Sequence, residues 1–129
     1  MEMFRRSFIG AIACSSLVAC SPLRLGKNAK GENMYGLIGK MTAIAGERER
    51  LAEILLEGLR DMPGNLSYIV AADAEDADLL WITEVWTDRD SHTASLALPS
   101  VQQAIQKGRP LIAGMERLAE TAPTGGNGL

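Results

Sequence analysis

Two apolar runs of β-forming residues, Leu66 to Ala72 (LSYIVAA) and Leu79 to Trp86 (LLWITEVW), flank a polar connector, Asp73-Ala74-Glu75-Asp76-Ala77-Asp78. β-Branched and aromatic residues on either side of a short acidic linker predict adjacent antiparallel strands. Side chains alternate along a strand, so Leu80, Ile82, Glu84 and Trp86 share one face of the second run, and Leu79, Trp81, Thr83 and Val85 share the other. Both faces are apolar. A small domain then needs helices over one side of its sheet and another cover, most simply a second subunit, over the other. Glu84 falls among apolar neighbours beside an indole, where a carboxylate is either paired or functional.

The remaining pattern extends this frame. Tyr35 to Ala43 reads as an opening strand with Tyr35, Leu37, Gly39 and Met41 on one face, and its glycines, Gly36 and Gly39, suggest a bulge or a close backbone approach. Leu51, Ile54, Leu55, Leu59 and Met62 recur at helical spacing within Gly46 to Met62, which Pro63-Gly64 ends. Asp88 is an N-cap for a further helix, and Pro99 suits the first turn of another that runs through Val101, Ala104 and Ile105. Pro110 predicts a break at Arg109, and Met115 to Thr121 a last strand. Strand, helix, strand, strand, helix, strand is the split β-α-β, ferredoxin-like order of an α+β fold with helices on one face of an antiparallel sheet. Face-to-face pairing of two such sheets into a dimeric α+β barrel completes it.

The amino terminus follows different rules. Arg5-Arg6, the apolar run Phe8 to Ala13, then Leu17-Val18-Ala19, Cys20 and Ser21-Pro22 describe an export signal too short to span a bilayer. Leu17-Val18-Ala19-Cys20 resembles a bacterial lipobox, which implies lipidation of Cys20, and Arg5-Arg6-Ser7-Phe8-Ile9 resembles a twin-arginine signal. A cleaved general secretory signal is the alternative. Either reading places the folded part outside the cytoplasm, as a membrane-anchored lipoprotein or a periplasmic protein. The expected organisation is an export signal over 1–20, a flexible tether over 21–33, one domain over 34–122 and a flexible tail over 123–129.

The 129 residues, 47% hydrophobic and 22% charged, suit one globular domain. A net charge of -3 with dispersed cations disfavours nucleic acid as a partner. One histidine, His92, and no Cys-x-x-Cys rule out the common zinc constellations, and no Gly-rich loop opens a helix after a strand. No metal site is expected, and any enzyme built here works without the usual cofactor motifs.

Histidine is the side chain whose chemistry suits proton transfer at neutral pH, so His92 is a candidate general base or hydrogen-bond partner; the alternative is a histidine packed against the sheet. Asp88, His92 and Ser95 could share one helix face, but a hydrolytic triad on one helix lacks a separate oxyanion site. Glu84 is a candidate acid or base in a dry pocket, or else a partner of Lys40 or Arg117 across the sheet. Tyr68 could donate to a bound phenolate, and Arg109 could stabilise an anion or lie on the surface. Trp81 and Trp86 differ in parity, so at most one of them faces under the helices. Asn65, after Pro63-Gly64, suits a turn.

Pro63-Gly64-Asn65-Leu66-Ser67-Tyr68, the connector ending Glu75-Asp76-Ala77-Asp78, and Glu84-Val85-Trp86 together resemble the antibiotic biosynthesis monooxygenase family, including quinol monooxygenases. The resemblance spans about Met34 to Thr121. It implies a ferredoxin-like homodimer that oxygenates quinols or other electron-rich polycyclic phenols with O2 and no cofactor. Ser95 and Ser100 stand where many relatives carry histidine, and Ile105 stands at the axial histidine position of haem-degrading relatives, which disfavours haem. The expectation is that His92 or Glu84 acts as base, with Tyr68, Trp81, Trp86, Arg109 and Asn65 contacting substrate. A non-catalytic dimer that binds a small aromatic or serves a stress response, or a cofactor-free isomerase or decarboxylase, remains the alternative.

Overall fold

The computed structural model describes residues 33–129. The expected export signal, the lipidation site at Cys20 and most of the tether lie outside the described residues. The chain runs β1 (Tyr35–Ala43), α1 (Arg48–Gly58), β2 (Asn65–Ala72), β3 (Leu79–Trp86), α2 (Arg89–Ser95), α3 (Pro99–Gly108), a 3-10 turn (Arg109–Leu111) and β4 (Ile112–Thr121). The four strands form one antiparallel sheet in the order β2-β3-β1-β4, the ferredoxin-like arrangement expected from the hydrophobic pattern.

The hairpin between β2 and β3 is set by its acidic connector. One carboxylate oxygen of Asp73 accepts the N–H groups of Glu75 (3.0 Å) and Asp76 (2.8 Å), and the other accepts the indole N–H of Trp81 at 2.7 Å. An aspartate that caps its own turn in this way fixes the loop and the register that follows. These donors, the Asp76 N–H first, hold the Asp73 carboxyl down to about 2.

The α1 helix is shorter than the expected span. Beyond Leu59 the chain leaves the helix, Asp61 adopts a positive φ of 52°, and the turn closes with Asn65 N–H donating to Met62 C=O at 3.1 Å. Gly64, at φ 80°, occupies a conformation that disfavours any side chain. The break at Pro110 is a 3-10 turn that redirects the chain, so β4 begins at Ile112, three residues before the expected start, opposite Ala43.

Directly opposed residues in the ladder place Tyr35, Leu37, Gly39, Met41, Tyr68, Leu80, Ile82, Glu84 and Trp86 on one face, under the helices. Two buried clusters form there. Met41, Ala43, Leu51, Leu55, Leu80, Ile82 and Leu111 make one, and Tyr35, Leu37, Met62, Trp86 and Val101 the other, with Leu59 and Tyr68 packed against both. Helices α1 and α3 approach closely because Gly58 lacks a side chain: a Cβ there would lie 2.5 Å from that of Ala104. The opposite face carries Ile69, Thr83, Ile38 and Ala119 in one row across the four strands. Ile69 is 55% exposed, so this apolar face has no cover among the described residues.

Candidate active site

Under the helices, between the sheet and α2, lies a cavity of about 140 Å3 lined by residues that include Tyr68, Ile82, Glu84, His92, Met115 and Arg117. Its floor is open at Gly39, which faces the helices where β1 and β4 shift register. A Cβ at this position would reach to 3.0 Å from the Glu116 carbonyl oxygen. The suggested bulge is therefore real, and it leaves space beneath His92 and Glu84.

His92 reaches this cavity from α2, which Asp88 starts by accepting the Ser91 N–H at 2.7 Å. That contact makes Asp88 a cap, and Ser95 Oγ donates to the His92 carbonyl oxygen at 2.6 Å. The three residues thus form no hydrolytic relay. The imidazole is instead held between two aromatic rings, with centroids 5.5 Å from Tyr35 and 5.3 Å edge-on from Trp86.

Glu84 is fixed from below. The Trp86 indole N–H donates to Glu84 Oε2 at 2.8 Å, and the same oxygen lies 3.9 Å from His92 Nε2. The two side chains are 16% and 14% exposed, so both charges would interact across a largely dry space. Neither alternative partner from the sequence is used: Lys40 pairs with Glu116 at 3.3 Å, and Arg117 with Glu120 at 3.0 Å.

Tyr68 stands opposite Glu84 in the ladder. Burial, and secondarily the Glu84 charge, push its phenol far above the ordinary tyrosine range, so it keeps its proton and can donate a hydrogen bond. Behind the site, Tyr35 donates to Glu120 Oε1 at 3.0 Å, and the Arg89 guanidinium lies 4.8 Å over its ring and bonds Glu120 Oε2 at 2.5 Å. Burial raises the Tyr35 phenol, and the Tyr35 hydrogen bond, ahead of Arg89 and Arg117, lowers the Glu120 carboxyl.

The structure brings His92, Glu84 and Tyr68 together, with Trp86 as their support. Trp81 lies on the opposite face of the sheet, tied to Asp73. Asn65 serves the β2 bulge, donating from Nδ2 to the carbonyl oxygens of Ser67 (3.2 Å) and Val85 (3.4 Å). Arg109 lies on the 3-10 turn and lines a different cavity, where it is the single charged residue among the described ones. Arg117 is the guanidinium bordering the His92 cavity; its strand parity offered this, whereas Arg109 was singled out by the adjacent proline alone. Among the described residues no cluster of three His, Cys, Asp or Glu side chains could hold a metal ion.

A four-stranded antiparallel sheet in the order β2-β3-β1-β4, with its helices over one face, places the chain in the ferredoxin-like class of α+β proteins. The family model for antibiotic biosynthesis monooxygenase matches residues 34–107. The chain belongs to that family. A crystal structure from Chloroflexus aurantiacus named "putative Antibiotic biosynthesis monooxygenase" is 59% identical, with a TM-score of 0.72 over 74% of this chain and 97% of that one. More distant structures share the fold: one from Nitrosomonas europaea at 17% identity and TM-score 0.65, covering 72% of this chain and 95% of that one, and one from Bacteroides thetaiotaomicron at 18% and 0.63, covering 68% and 88%. No curated protein matches the chain.

Proposed function

We propose that the protein is a cofactor-independent monooxygenase of quinols or similarly electron-rich phenols. The observation that carries this is the convergence of the largely buried His92 and Glu84 side chains and the protonated Tyr68 on one cavity. His92 removes the phenolic proton, and Glu84, 3.9 Å away, stabilises the imidazolium that results. The quinolate then supplies the electrons that reduce O2. One oxygen atom bonds to a ring carbon, the other leaves as water, and the quinol becomes a hydroxyquinone. Tyr68 donates to the developing oxyanion. In the same reading two copies pack through the apolar face that carries Ile69 and Trp81.

Oxygen uptake with a 1,4-naphthohydroquinone, measured against autoxidation, tests the proposal. Wild type is expected to exceed the background, and His92→Ala to lose about 10²- to 10⁴-fold, the range of a general base. A wild-type rate equal to autoxidation sinks the oxygenase reading for this substrate class. Product formed under nitrogen would identify an isomerase or decarboxylase instead.

A further inference from the structure

A second cavity, of about 270 Å3 and so nearly twice the first, lies between α1, α3 and the sheet. Leu55, Leu59, Ile105 and Ile112 line it, and it shares Met41 and Met115 with the His92 cavity. Across those two methionines the lining changes from His92, Glu84 and Tyr68 to a mainly aliphatic wall, with Arg109 the single charged residue among the described ones. Methionine side chains are unbranched and adaptable, which suits a partition that a ligand can pass. Met115 is 69% exposed although it borders both spaces, so little packing holds it in place. Aliphatic hollows of this kind bind apolar groups in preference to water.

We propose that the second cavity seats an apolar tail carried by the substrate, so that the substrate class is an alkyl-substituted quinol. Its ring lies at His92 and Glu84, and its tail passes Met41 and Met115 into the aliphatic space. This rests on the reading of the His92 cavity as the place where the quinol ring is held. The shared methionines are what commit the occupant to one molecule, because a ligand seated in either space meets the other at the same two side chains.

The test uses the full chain and a series of 2-alkyl-1,4-benzoquinones, which bind without turnover, with affinity read from tryptophan fluorescence quenching. The dissociation constant is expected to fall about four-fold per added methylene and then level off as the cavity fills. Ile105 borders the cavity from a partly exposed position. Ile105→Asp should flatten that slope, and Ile105→Trp should bring the plateau to shorter tails. An affinity independent of tail length overturns the proposal. So does a slope unchanged in both variants, which would mark adsorption elsewhere, or equal binding of ring-free alkyl carboxylates, which would mark a separate lipid site. Length-dependent binding without oxygen uptake would remove the oxygenase reading alone, whereas turnover of short quinols with no tail effect would remove the tail alone.

Discussion

Among the described residues Glu84 takes its direct hydrogen bond from one indole, and Trp86 in turn is 1% exposed. Trp86→Phe keeps a ring in the core but leaves a largely buried carboxylate oxygen without its donor. A loss of about 1–3 kcal/mol is expected, the penalty for an unsatisfied buried acceptor. A shift of the urea midpoint with an unchanged m-value would show it. Adding Glu84→Leu to Trp86→Phe should cost less than the two single changes summed, and strict additivity would mean that the bond does not couple the pair. The shared parity of Glu84 and Trp86 was legible along β3, because a strand's period is fixed. The neighbourhood of His92 was not, since it depends on where α2 docks. Arg109 shows the same limit: Pro110 marked the break correctly, but the direction of the chain through a 3-10 turn has no signature in residue spacing.

Two elements have their geometry set by particular contacts. At the crossing of α1 and α3, Gly58→Leu would drive a side chain into Ala104 and Ser100, and about 1–3 kcal/mol of destabilisation is expected from such overpacking. A melting temperature equal to wild type would show that the helices separate freely. In the β2-β3 connector, Asp73 is about 2 folded against about 3.9 for a free aspartate. A depressed folded pKa stabilises above the unfolded value, and that stability drains away as pH falls from about 4 through 2. Asp73→Asn should therefore be less stable than wild type at pH 6, with the gap narrowing toward pH 2. A gap that ignores pH would assign the loss to geometry rather than charge. The strands were readable from alternation and the connector from its polarity, while the end of α1 was overrun because Met62 keeps helical spacing after the backbone has left the helix.

At the scale of the whole molecule, the face that carries Ile69, Ile38 and Trp81 has no cover among the described residues. The apolar pattern of that face was legible, since both parities of β3 are greasy, yet one chain's sequence holds no record of its cover. A second copy is the expected cover. Light scattering should report a dimer at micromolar concentration, and Ile69→Lys should shift it toward monomer while the far-UV circular dichroism stays the same. A wild-type monomer would refute the paired assembly. The alternation of β3 carries a wider consequence. One parity lines the His92 cavity and the other the apolar face opposite, so the strand's phase decides which side chains face where. Sliding it by a single position would turn Glu84 and Trp86 outward and send Thr83 and Val85 into the cavity. The Asp73 clasp on Trp81, on the opposite face of the sheet from Glu84, thereby helps to keep the acid indoors.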